Sequence, residues 1–284
     1  MAVKKTLALL LLLWLLPLAA GAEGYEYKDR LLLTRYDSDT LKYEIRLVRL
    51  NDTTCYLTRV WVADPARQIK KVIAPWHADL ARAEELAGEI EGAALVVNGS
   101  GYVSPRYPAI PENYPGTSFD YYYTPLGSLS VTEGEVYRDL EGVPFYGLTL
   151  EADGLHLYVG EENGKVLDRE PLHTWSFYEG CPMVRDGQDI LDHDWLFANR
   201  RAIRTIIAKL PEENTYLFLT ATEQFGLTLV EANAFLLGEF SPEWVYDLDG
   251  GPSTALFYRR KDGDQLRLLY GAGQRIVDVM GFVE

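Results

Sequence analysis

The apolar runs of this chain are short, and many stop at a polar residue followed by glycine. Asn98-Gly99, Asp153-Gly154, Asn163-Gly164, Asp249-Gly250 and Asp262-Gly263 punctuate it in this way. Such pairs take up the tight backbone angles of hairpin turns at little cost. Punctuation this frequent predicts short strands. Leu41 to Leu47 alternates apolar and polar residues, the period of a half-buried strand. Cys55 to Ala63 reads as its neighbour across an Asn51-Asp52 turn. Ala93 to Val97 and Trp244 to Leu248 are wholly apolar or nearly so, and each runs into a polar-glycine turn. Residues 127–185 read as a run of short strands, with Leu155 to Val159 alternating between two hairpin pairs. Thr215 to Ala221 is a further strand, and Ser253 to Arg259 pairs with Gln265 to Tyr270 through the Asp262-Gly263 turn.

Two stretches change period. Leu80, Ala83, Leu86, Ala87 and Ile90 recur at helical spacing and predict a helix over 77–91. Thr228 and Glu231 form a capping box before an apolar run, the start of the clearest helix. Residues 99–125 are rich in Gly, Pro, Ser and Tyr and have no period, so they read as an ordered loop over a surface. The predicted fold class is α+β: a mostly β-sheet domain with a few packed helices. Residues 23–89 are expected to form a small N-terminal β extension and a helix, and residues 90–284 the main domain.

The N-terminus predicts export. Lys4 and Lys5 precede the apolar run Leu7 to Leu18, and Ala20-Gly21-Ala22 supplies the small residues a signal peptidase reads. Cleavage after Ala22 removes two lysines and no acids, leaving 25 basic against 42 acidic residues. So acidic a protein does not grip nucleic acid through its phosphates, and an anionic membrane surface repels it. No stable membrane insertion is expected once residues 1–22 are gone. Outside the cytoplasm Cys55 and Cys181 can be oxidised to one disulfide, or can stay as two buried thiols.

Several polar residues stand where strands meet turns. Asn98-Gly99 and Asp249-Gly250-Gly251 end two strands, and glycine there lets backbone approach a ligand closely. Asp247 and Asp249 share a face if the strand continues through them, where one carboxylate raises the pKa of the other or both collect a divalent cation. Arg204, next to Thr205, stands before the apolar Ile206-Ile207-Ala208, and its planar fork suits a phosphate or carboxylate. Asp192-His193-Asp194 reads as a turn, and His77, His156 and His173 are isolated. Neither a hydrolase nucleophile elbow nor a nucleotide-binding glycine motif is present.

Read in order, several segments resemble the phosphodiester glycosidase family. Val97-Asn98-Gly99-Ser100 with Tyr102 is similar to its Asn-Gly-Gly-Phe turn, and Gly180 to Gly187 is similar to its Gly-Pro-x-Leu-Val-x-x-Gly segment. Ile203 to Ala208 resembles its Pro-Arg-Thr-Ala-Ile-Gly strand. Gly226 to Glu231 followed by Asp247 to Ser253 is similar to its Gly-Leu-Thr-Leu-x-Glu and Asn-Leu-Asp-Gly-Gly-Gly-Ser motifs. The chain departs from these patterns at Ser100, Ile203, Asp247 and Pro252.

The resemblance implies a secreted glycosidase that cleaves a sugar-1-phosphodiester in an envelope or extracellular glycan. The alternative is a non-catalytic glycan-binding module on the same fold. On the first reading Asp249, Arg204 and Asp247 carry the chemistry, with Arg204 keeping Asp249 ionised and meeting the phosphate. Asn98, Gly99, Thr205, Gly250, Gly251 and Ser253 bind the substrate. The partner is a glycan or sugar phosphate. No cofactor is predicted, apart from the divalent cation that Asp247 and Asp249 could collect, and the oligomeric state is left open.

Overall fold

The computed structural model describes residues 25–76, 78–103, 122–177, 179–222, 226–261, 263, 265–271 and 273–284. The expected signal segment, His77, Asp262 and residues 104–121 of the aromatic loop lie outside the described residues. Three antiparallel sheets dominate, as the α+β reading expects. The largest has eight strands, in the order Tyr27–Asp37, Leu41–Leu50, Thr53–Val62, Thr215–Ala221, Thr205–Lys209, Trp244–Asp247, Pro182–Arg185 and Gln188–Asp189. A second sheet orders Gly154–Glu161, Phe145–Glu151, His173–Ser176, Leu129–Thr132 and Glu135–Asp139. The third orders Leu266–Tyr270, Leu256–Arg259, Ala93–Asn98, Asp278–Val283 and Ile69–Ile73.

One core cluster takes side chains from all three sheets: Ile45 and Val60, Leu148 and Trp175, Leu95 and Met280. A second lies on the other face of the large sheet, where Leu217 and Leu219 meet Ala232, Phe235 and Leu236 of the helix Leu229–Phe240. This two-sided cover explains the wholly apolar strand Thr215–Ala221. Tyr216 and Phe218 face the first cluster, while Leu217, Leu219 and Ala221 face the second. Thr53–Val62, from the N-terminal part of the chain, pairs with this strand from Thr215↔Trp61 to Ala221↔Cys55.

The helix Leu229–Phe240 begins as its sequence predicts. The Thr228 hydroxyl accepts the Glu231 amide at 3.0 Å, and the Glu231 carboxylate accepts the Thr228 amide at 2.9 Å. It stops at Ser241, which is left-handed (φ 47°) and is followed by Pro242. Among the described residues no helix is long and apolar enough to cross a membrane.

Two expectations are corrected, and of the two states left open for the cysteines the structure shows the buried thiols. The helix predicted over 77–91 is confined to Ala83–Glu89, because Ala81–Arg82 pairs as a short strand with Arg275–Ile276. Asn163-Gly164 does not close a hairpin but opens the short helix Asn163–Leu167. Its asparagine is a buried tether: its amide nitrogen donates to Asp139 at 2.8 Å and its amide oxygen accepts from Ser128 at 2.9 Å. Cys55 and Cys181 are both buried and are not bonded to each other. They belong to the clusters on opposite faces of the large sheet, so the sheet itself separates them.

Candidate active site

The third sheet meets the large sheet at the end of the strand Ala93–Asn98. Asn98 is buried, and its side chain ties three segments together. Its Nδ2 donates to the Asp249 carbonyl at 2.6 Å. Its Oδ1 accepts from Thr205 Oγ1 at 2.8 Å and from the Ala255 amide at 3.0 Å. The backbone completes the junction: the Asp249 amide donates to the Gly99 carbonyl at 3.0 Å, and the Gly251 amide to the Ile203 carbonyl at 2.8 Å. Asn98, Gly99, Thr205, Asp249 and Gly250 are therefore neighbours, although 151 residues separate Asn98 from Asp249. Close approach explains two of the glycines. A Cβ on Gly99 would strike the Asp278 carboxylate and the Trp175 ring, and one on Gly250 would strike the Ile203 carbonyl.

The two aspartates of the Asp247-Leu248-Asp249 segment have different surroundings. The strand ends at Asp247, which lies opposite Ile206, and its carboxylate is wholly buried. Arg204 Nη1 meets Asp247 Oδ2 at 3.2 Å. Nη2 of the same guanidinium donates to the Phe197 and Arg200 carbonyls, both at 2.9 Å, and its Cζ lies 4.3 Å over the Phe197 ring. Burial pushes the Asp247 carboxyl up to about 7, and Arg204 only partly offsets this.

Asp249 stands beyond the strand, in the turn, and keeps part of its surface in solvent. Its Oδ1 accepts the Gly250 amide at 2.9 Å, and the buried Ser253 also hydrogen-bonds to it. Desolvation raises its carboxyl to about 7 against those two bonds, and the charges of Asp247 and Asp278 raise it further. Among the described residues Asp249 has no ion pair. The sequence predicts that Arg204 keeps it ionised. The strand's register gives that arginine to Asp247 instead, so the reactive-looking carboxyl is poised between its two protonation states.

Among the described residues no third carboxylate, histidine or cysteine joins Asp247 and Asp249 closely enough to share an ion. Among the described residues, the group of three or more side chains with ligand atoms close enough to share an ion is Glu151, Asp153 and His156. Glu151 is already saturated by Thr149, Tyr158 and Arg169 at 2.8, 2.6 and 3.1 Å.

Two charged residues at the junction were not singled out from sequence. Asp278 starts the strand Asp278–Val283, and its Oδ1 accepts the Ser100 amide at 2.5 Å. Its Oδ2 lies 3.3 Å from Lys71 Nζ, and both side chains are fully buried. Burial lowers the Lys71 ammonium and Asp278 opposes that shift. Nearby, burial and the Lys71 charge push the His173 ring down to about 3, and its Nδ1 accepts the Glu133 amide at 3.1 Å. The sequence signal is charge set into two short apolar strands, Lys70 and Lys71 in Ile69–Ile73 and Asp278 in Asp278–Val283.

The sequence profile of the phosphodiester glycosidase family matches residues 91–283. The chain belongs to the phosphodiester glycosidase family. Among solved structures it is similar to the zebrafish N-acetylglucosamine-1-phosphodiester alpha-N-acetylglucosaminidase catalytic domain, described as auto-inhibited by its pro-peptide. That likeness has 16% identity over 94% of this chain and 91% of the other, with a TM-score of 0.62. It is also similar to a hypothetical protein from Synechocystis, at 12% identity over 87% of this chain and 63% of that one, with a TM-score of 0.52. A search of curated proteins finds no match. At these identities the likenesses show the fold, and they span the strands before residue 90 as well as the family region. All three motif segments that meet at Asn98 lie within the matched region.

Proposed function

We propose that the protein is a secreted glycosidase that cleaves sugar-1-phosphodiester bonds of an envelope or extracellular glycan, with Asp249 as its reactive carboxyl. The observation that carries this reading is the position of Asp249, partly exposed where three family motifs meet, with its carboxyl raised to about 7. Breaking the bond from the anomeric carbon to the phosphate oxygen releases a phosphate monoester. Its second pKa is about 6, so the leaving group needs little protonation. The harder demands are to stabilise the positive charge growing on the sugar ring and to take a proton from the attacking water. A carboxyl titrating near neutral pH suits the second, since a base works best with a pKa near the operating pH, and its ionised form meets the first. The space beside Gly251 is open, with no atom within 4 Å of where a Cβ would stand, and it gives the sugar a way to the turn.

Arg204 and Asp247 support the site from behind, because the guanidinium is only 2% exposed. Asn98 fixes the turn, and Gly99, Gly250 and Ser253 line it. The purified chain starting at Glu23 should release free sugar, with nitrophenyl phosphate or a nucleoside diphosphate as the other product, from at least one of a panel of nitrophenyl sugar-1-phosphodiesters and nucleoside-diphosphate sugars. Asp249→Asn should abolish release and leave binding measurable. Binding without turnover across the panel would favour the glycan-binding module, and neither binding nor turnover would reject both readings.

A further inference from the structure

The Lys71–Asp278 pair has no part in the chemistry described above, yet it sits directly behind the candidate site. Three observations link it to Asp249. The Asp278 carboxylate holds the Ser100 amide and its carbonyl accepts the Gly99 amide at 3.2 Å, so both residues of the first turn hang on Asp278. The Gly99 carbonyl in turn accepts the Asp249 amide, so the turn that Asp278 holds is the one that holds Asp249. Gly99 is glycine because the Asp278 carboxylate occupies the space of its Cβ.

We propose that Asp278, clamped by Lys71, is a positioning residue that fixes the Asn98-Gly99-Ser100 turn and sets the proton affinity of Asp249 through a fixed negative charge behind it. The proposal rests on the reading of Asp249 as the reactive carboxyl.

The charges around Asp249 give the direction of the effect. Asp247, on its own strand end, raises its proton affinity. Arg204, from the segment before Thr205–Lys209, is spent on Asp247. The strand Ala93–Asn98 contributes the neutral Asn98, and the turn contributes the neutral Ser253 and the Gly250 amide. Asp278 is the remaining acid that acts on Asp249 among the described residues, and it too raises the carboxyl. Lys71 meets Asp278 on the oxygen that does not hold Ser100. It therefore steadies the carboxylate without taking its place at the turn.

The test is a titration of aspartate 13Cγ signals, with Asp249 assigned from its loss in Asp249→Asn. Asp278→Asn removes the negative charge, so the Asp249 midpoint should fall by about one unit. The acid limb of kcat/KM against pH should move with it. Asp278→Asn alone leaves Lys71 buried without a counter-ion, which can prevent folding. The double variant Lys71→Met with Asp278→Asn removes both charges and should show a smaller fall in the same direction, since the cation that partly offset Asp278 goes with it.

A folded variant with an unmoved Asp249 midpoint and activity lowered equally at every pH would reduce Asp278 to a purely architectural role and overturn the proposal. The titration uses no substrate. A shifted midpoint in a chain that cleaves no sugar-1-phosphodiester defeats the proposed function and not this inference, and turnover with an unmoved midpoint does the reverse.

Discussion

Replacing Asn98 tests the junction most directly. The side chain makes three hydrogen bonds in a buried setting, two of them to backbone groups of Asp249 and Ala255. Asn98→Ala leaves the Asp249 carbonyl and the Ala255 amide without these partners. A buried polar group stripped of its bond costs about 1–3 kcal/mol, and Thr205 loses a bond worth about 1 kcal/mol. The sum is about 3–7 kcal/mol, which urea unfolding resolves easily. Asn98→Asp refines the argument. Its first oxygen can still accept from Thr205 and Ala255, but its second, when ionised, faces the Asp249 carbonyl where a donor stood at 2.6 Å. Protonation restores a donor. The new carboxyl therefore has a folded pKa above its unfolded value of about 3.9. Its stability relative to the original chain should be highest below that value and be lost as pH rises through the folded pKa. Urea midpoints from pH 4 to 8 check this. A cost below about 1 kcal/mol for Asn98→Ala, or a pH-independent cost for Asn98→Asp, would refute the claim that this side chain holds the three segments together.

Glu231→Gln should keep most turnover and lose at most about 1 kcal/mol, since glutamine caps the helix in the same way and the ion pair with Arg201 is partly exposed. Complete loss of activity at an unchanged melting temperature would instead mark Glu231 as catalytic. Because Asp247 and Asp249 are both raised to about 7, their contribution to stability is full below about pH 4 and is lost as pH rises towards 7. Asp249→Asn should flatten part of that slope and stabilise the chain at pH 8 by about 1–2 kcal/mol, discounted for its partial exposure; calorimetry across pH would show the opposite sign if Asp249 were already ionised in the acidic range. Sequencing of the exported protein should begin at Glu23, and an intact Met1 on a membrane-bound product would contradict the leader reading.

Much of the sheet was legible because strands leave a local signature. Thr215–Ala221 was read residue for residue, and Leu41–Leu50 was found from its first half, where Leu41, Tyr43 and Ile45 face one cluster. The strand then continues with Val48 and Leu50 turned to the other cluster, which breaks a simple alternation. Asn163-Gly164 misled because its turn propensity is outweighed by buried bonds to Ser128 and Asp139, partners remote in sequence. The motif segments could be placed at one site from their resemblance and their turns. The division of labour between Asp247 and Asp249 could not, since it depends on which residue ends the strand and which one Arg204 reaches. Lys71 and Asp278 stayed hidden for the same reason: they are 207 positions apart in numbering, and only the fold pairs them.

The strand Ala93–Asn98 is flanked by Leu256–Arg259 and Asp278–Val283, both from the last part of the chain. This gives the site an order of assembly. Thr205 is synthesised 107 residues after Asn98, and Asp249 and Ala255 on one side and Asp278 on the other some 150 residues or more after the turn. Contacts this distant in sequence form slowly, because the loop must close before any bond rewards it. A growing chain therefore carries Asn98 and Gly99 as an ordinary solvated turn until its final strand docks. The raised carboxyl therefore has its surroundings only in the completed fold, and a chain that stops short of the last strand lacks the junction that holds it.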